Sequence, residues 1–237
     1  MKKDTLNPVL LYMETATEVC SVAVAEGEML LGAEEQRDGN MHAQQLMPLI
    51  EKVLKKAEIE KKEIQGVVLS IGPGSYTGLR IGASTAKGIC YALNIPLIAV
   101  STLQSIVMGA LNDKTIFSSS LFIPMIDARR MEVYTALFDA QGKAVTDVQA
   151  AIIDKMTFHD LLQTEQIVFC GNGAAKCRPF YADNSNAHFS EALLSAQNMI
   201  LPAVAQYRQG QFESTVYMEP FYLKEFIAAP AHIKGLH

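Results

Sequence analysis

The sequence predicts an α/β fold of two similar lobes, each a βββαβα unit, on three observations. A meander of three short apolar strands opens the chain and leads into an amphipathic helix, after which strands and helices alternate. Residues 64–126 carry four charged side chains, Arg80, Lys87, Asp113 and Lys114, as expected of elements covered on both faces. Finally, a strand ending in an acid, a short turn, a second strand and a glycine turn occur at Glu14 and recur at Asp127, 113 residues later. Self-similarity at this scale points to duplicated lobes rather than a short-period solenoid.

Taken in order, residues 9–13 and 21–25 are runs of strand formers, and Glu26-Gly27-Glu28 turns the chain into a third strand at 29–33. Leu46, Leu49, Ile50, Val53, Leu54 and Ala57 then fall on one helical face, with Glu51/Lys55 and Glu58/Lys62 as i,i+4 pairs on the other. Pro48 either kinks this helix or marks its first turn. Residues 67–71 form a continuous apolar strand, 77–93 a helix and 96–100 another strand of the buried type. In the second half, strands are expected at 121–126, 133–138 and 167–170, with a Gly142 turn and a helix near 201–209. Disorder is expected only in the first seven residues and the tail after Ala228.

Composition excludes several classes of protein. With 237 residues, 49% of them hydrophobic, the chain has material for a full core without disulfides. Cys20, Cys90, Cys170 and Cys177 show no CxxC spacing, and the N-terminal apolar stretch is too short for a signal peptide, so a cytoplasmic chain with reduced thiols is expected. No window approaches the ~18 uninterrupted apolar residues of a membrane span. Against 25 acidic residues stand 20 basic ones, a net charge of −5 that argues against stand-alone binding to a phosphate backbone.

Candidate chemistry concentrates in two places. Glu14 and Asp127 each end a strand, where open α/β sheets face their ligand crevice; they either cap their turns or hold a metal and a nucleotide phosphate across a cleft. The turn after Glu14, Thr15-Ala16-Thr17, lacks the glycine that lets backbone N–H groups approach a phosphate. The segment from Ile71 to Arg80 leads from strand to helix with Gly72, Gly74, Ser75, Thr77 and Arg80, and is either an anion site or a tight turn with a helix cap. It matches neither the dinucleotide fingerprint nor a P-loop. The following helix carries Gly78, Gly82, Ala83, Ala86 and Gly88; a small-residue face of this kind serves sheet packing or contact with a partner helix. The five histidines form neither HExxH nor HxxxH, so no metal site is expected, and Ser75 lies in no GxSxG elbow.

The blocks ETATEVCSVAV, His42 with LMPLI, VLSIGPGSYTGLRIG, VSTL, MIDARRMEVYTA and EPFYL, running in order from about Leu10 to Lys224, resemble the TsaB (YeaZ) family. The resemblance implies the actin-like, Hsp70-like, sugar-kinase-like (ASKHA) fold of two RNase H-like lobes, the chain returning at its end to the first. The first lobe would then take residues 1–104 plus about 213–237, and the second 105–212. It implies a non-catalytic subunit in the synthesis of N6-threonylcarbamoyladenosine (t6A) at position 37 of tRNAs reading ANN codons. That subunit binds the catalytic paralogue TsaD, helps recruit the ATPase TsaE, meets tRNA only through the complex, and pairs with itself when alone. His42, Leu46, Leu49, Gly78, Arg80, Gly82 and Ala86 fall where the family places its helical interface. Glu14, Thr15, Gly72, Gly74, Ser75 and Asp127 would form a degenerate phosphate site, with no intrinsic cofactor and ATP or ADP at most at a junction with partner subunits. One departure is Glu14, where most relatives have Asp. The competing reading is an active ASKHA ATPase or small-molecule kinase using Glu14 and Asp127 with magnesium.

Overall fold

The computed structural model describes residues 6–37, 41–112 and 120–224; Asp113, Lys114 and the tail after Ala228 lie outside the described residues. Strands β1 (Val9–Glu14), β2 (Cys20–Glu26) and β3 (Met29–Gln36) form the expected antiparallel meander, turned at Gly27, whose φ of +54° glycine adopts without steric cost. Helix α1 (His42–Lys56) follows, then β4 (Gly66–Ser70), α2 (Tyr76–Leu93), β5 (Leu97–Val100) and α3 (Thr102–Leu111). The second half runs β6 (Leu121–Asp127), β7 (Glu132–Thr135), β8 (Gln149–Ile152), α4 (Leu161–Thr164), β9 (Ile167–Cys170), α5 (Arg178–Tyr181), β10 (Ala187–Phe189) and α6 (Ile200–Arg208).

The duplication is explicit in the topology. One sheet has the order β3-β2-β1-β4-β5, and the other, read in the same sense, β8-β7-β6-β9-β10. In each, the central strand is antiparallel to the strand after it and parallel to the fourth. Glu14 and Asp127 occupy equivalent places, each ending the central strand of its sheet.

Helices α1 and α2 cover one face of the first sheet, burying Leu46, Leu49, Val53, Ala83 and Ala86 against Leu11, Val22, Val67 and Leu69. The final helices are exchanged. α3 follows β5 of the first sheet yet packs on the second, its Leu103, Ile106 and Val107 meeting Phe122, Ile126 and Val168. α6 follows β10 yet packs on the first, with Ala203 and Val204 against Leu10, Tyr12, Val68 and Ile98. Residues 200–208 therefore lie on the first sheet, although they fall within the span expected for the second lobe.

Several local expectations are corrected. Pro48 sits inside α1 on its exposed side, six residues after its start, and so does not mark its first turn. Beyond that helix Glu58 takes φ +57°, which removes it from the helical register; Glu51 instead pairs with Lys61 at 3.6 Å and Glu60 with Lys62 at 2.6 Å. α3 was not expected, because seven of its ten residues are buried and it shows no polar stripe. β7 ends at Thr135, and Phe138 reaches β6 through a single bridge to Phe122. Among the described residues no helix is long and apolar enough to cross a membrane.

Candidate functional site

Glu14 is fully buried, and its Oε1 accepts hydrogen bonds from the Ala16 N–H at 2.6 Å and the Ser70 hydroxyl at 2.7 Å. Among the described residues its Oε2 and the neighbouring Thr15 Oγ1 have no hydrogen-bond partner by geometry. Burial pushes the carboxyl up to about 7, and the hydrogen bonds from the Ala16 N–H, the Ser70 hydroxyl and the Thr15 N–H only partly oppose this.

The loop 72–78 rests directly on this turn. The Ser75 N–H donates to the Ala16 carbonyl at 2.6 Å. A Cβ at Gly74 would overlap the Ala16 carbonyl, one at Gly78 the Thr15 carbonyl, and one at Gly82 the Thr15 hydroxyl. These glycines are thus required by close packing of α2 and its leading loop onto β1 and its turn. Ser75 caps α2, its Oγ accepting from the Gly78 N–H at 3.3 Å. Gly72, at φ +118°, is backed by the Phe221 carbonyl.

Of the two readings of the small-residue helix face, this placement is the sheet-packing one. Gly78, Gly82 and Ala86 point inward and are covered by the chain itself. Leu46 and Leu49 are core residues, and the buried His42 places Nε2 3.2 Å from the Val19 carbonyl. Of the expected interface residues Arg80 is exposed; its guanidinium lies 4.4 Å above the Tyr76 ring, which in turn meets Tyr222 at 4.9 Å.

A cavity of about 510 Å³ opens where loop 72–78 faces the second lobe, between Ser75 and Thr77 on one side and Asp127, Arg129 and Glu132 on the other. Asp127 Oδ1 accepts from the Arg129 N–H at 2.6 Å and from Lys176 Nζ at 2.8 Å. Partial burial works to raise the Asp127 carboxyl, but the Lys176 ammonium and the Arg129 N–H outweigh it and hold it below the ordinary range. Arg129 and Arg130 are exposed at the hairpin tip with φ of +72° and +50°, a region few side chains enter without cost. The segment after Glu213 closes the cavity: Phe221 N–H donates to the Ile71 carbonyl at 2.7 Å, and Lys224 Nζ meets both Glu132 oxygens at 2.6 Å.

The structure therefore brings Gly74, Ser75 and Asp127 to one cavity and leaves Glu14 and Thr15 buried outside it. The two acids do not face each other across a cleft. Sequence reasoning missed Glu132, Tyr134 and Lys224, which line the cavity, and Asn172, which accepts from the Asp127 N–H at 2.9 Å and donates to Glu18 at 3.3 Å across the lobes. No spacing motif marks them; they are brought in by the duplicated topology and the returning terminus. Among the described residues no three His, Cys, Asp or Glu side chains are grouped as metal ligands.

The profile of the TsaD family, described as tRNA N6-adenosine threonylcarbamoyltransferase, matches residues 37–221. The chain belongs to the TsaD family. Within this TsaD-family setting, the relatives it matches along most of their length bear the TsaB name. It is 29% identical to the tRNA threonylcarbamoyladenosine biosynthesis protein TsaB of Escherichia coli, covering 92% of this chain and 96% of that protein. It is 27% identical to TsaB of Haemophilus influenzae, covering 92% and 94%. A solved structure of YeaZ from Pseudomonas aeruginosa superposes with a TM-score of 0.77 at 23% identity, over 91% of this chain and all of that one. The fold is thus the YeaZ architecture, of the ASKHA type.

Proposed function

We propose that the chain is a non-catalytic scaffold subunit of t6A synthesis at position 37 of tRNAs reading ANN codons. In this role it binds TsaD, helps recruit TsaE and meets tRNA only through the complex. The observation that carries the reading is the seating of loop 72–78 on the turn at 15–16, which fills the approach a phosphate would take to the end of β1. The names of the full-length relatives and the acidic net charge of −5 support it further.

On this reading TsaD, or a second copy when TsaD is missing, packs on the outward sides of α1 and α2, where Met47, Arg80 and Tyr91 are exposed. The place of action is the cytoplasm. ATP or ADP would be shared at a junction with a partner subunit. The 510 Å³ cavity has room for a phosphate-bearing ligand beside Arg129, and a smaller one of about 230 Å³ opens beside Thr17, between Glu18 and Asn172. The competing ATPase or kinase reading needs Glu14 in contact with ligand, and the complete burial of Glu14 speaks against it.

The test is t6A formation on cognate tRNA, reconstituted from the other pathway proteins with and without this chain. Product that appears only in its presence, with no transfer by the chain alone, supports the reading. Product that is unaffected by its omission overturns it. Calorimetry of the isolated chain with ATP and magnesium separates the competing reading, which requires binding.

A further inference from the structure

The Glu14 side chain is placed to do more than end a strand. Its Oε1 holds the Ala16 N–H, and the carbonyl of the same Ala16 receives the Ser75 N–H. One residue, Ala16, therefore links the carboxyl to the loop that walls the 510 Å³ cavity. Its surroundings are neutral. Ser70 comes from β4; from β2 come Cys20 and the cross-strand neighbour Ser21, whose Oγ lies 3.3 Å from Ser195 Oγ; from the following turn comes Thr15. Tyr12 precedes it on the same strand face. The titratable groups among these are Tyr12 and Cys20, and burial pushes both upward, Cys20 to about 11, so both are neutral near pH 7.

A neutral carboxyl is tolerable in such a place, whereas an ionised one holds a full charge out of reach of solvent, opposed only by the Ala16 and Thr15 N–H groups and the Ser70 hydroxyl. The cheapest relief is for the turn to open and admit water, which breaks the Ser75–Ala16 bond. We propose that the Glu14 carboxyl is a proton-sensitive latch: while neutral it holds the turn at 15–16 beneath loop 72–78, and on ionisation it lets that loop leave the cavity wall. Burial raises the carboxyl into the neutral range, which puts the transition where small changes in pH act on it.

Amide hydrogen exchange on the intact chain from about pH 6 to about pH 8.5, corrected for intrinsic rates, tests the latch. Protection across residues 73–79 should fall roughly tenfold or more over that range while β9 keeps its protection, and Glu14→Gln should abolish the dependence. Equal protection at both ends of the range, or a Glu14→Gln chain that tracks the native one, overturns the proposal. If Glu14→Gln does not fold, a carbon-13 titration of the Glu14 carboxyl in the native chain decides. A midpoint above about 6 supports the latch, and one near the ordinary carboxylate value of about 4.3 removes it.

Discussion

The Gly82 Cα and the Thr15 hydroxyl leave no room between them for a methyl group, so α2 packs directly against the turn at the end of β1. The close approach that a small-residue helix offers to a partner is here spent within the chain.

Gly78→Ala should therefore destabilise the isolated chain, because its added methyl meets the Thr15 backbone carbonyl rather than a side chain that can swing aside. Overpacking of this kind costs about 1–3 kcal/mol. A thermal melt of the chain alone checks it; an unchanged Tm would mean that α2 rides higher on the sheet than described.

Glu14 makes stability depend on pH. Its folded value of about 7 stands above the ordinary 4.5, so below 4.5 the group is neutral in both states and its contribution is intact. As pH rises through 7 the unfolded chain ionises first and stability is lost, by about 3 kcal/mol in all for a shift of this size. Glu14→Gln should flatten that decline and raise Tm at alkaline pH. Denaturant titrations at a series of pH values measure it.

Surface changes on the outward sides of α1 and α2 should separate association from folding. Tyr91, 87% exposed, and Arg80 lie outside the core, so Tyr91→Ala and Arg80→Glu should leave stability within about 0.5 kcal/mol. Under the scaffold reading they weaken binding to TsaD roughly tenfold or more, as loss of an aromatic or arginine anchor does. Calorimetric titration with TsaD supplies the number, and unaltered affinity in both variants would move the interface elsewhere.

Lys224→Ala removes the tie between the returning segment and β7 made through both Glu132 oxygens. Both groups are partly exposed, so Tm should stay where it is. The segment from Tyr222 onward should become more sensitive to limited proteolysis, and an unchanged cleavage rate would show that Phe221 and Tyr222 hold it without the ion pair.

Much of the first lobe was legible because its elements carry simple patterns. The i,i+3,i+4 spacing of Leu46, Leu49, Ile50 and Val53 specifies α1, and the alternating strands and helices specify the parallel pairing of β1, β4 and β5. The equivalence of Glu14 and Asp127 was readable as a 113-residue offset, and the two sheets repeat one order. The direction in which the small residues of α2 face was not readable. A stripe of Gly78, Gly82 and Ala86 has the same spacing whether it meets a partner or its own sheet, and only Thr15 beneath it decides. The fate of Glu14 was hidden for a related reason: its Oε1 is taken up by the Ser70 hydroxyl, 56 residues further along. Helix α3 escaped notice because burial nearly all round erases amphipathic periodicity.

The exchange of α3 and α6 means that neither half of this duplicated chain can stand alone. A fragment ending after α3 would leave Leu10, Tyr12, Val68 and Ile98 bare for want of α6, and a fragment starting at β6 would leave Phe122 and Val168 bare for want of α3. Two such fragments should be insoluble apart and recover only when mixed, and the intact chain should melt in a single cooperative transition despite its two sheets.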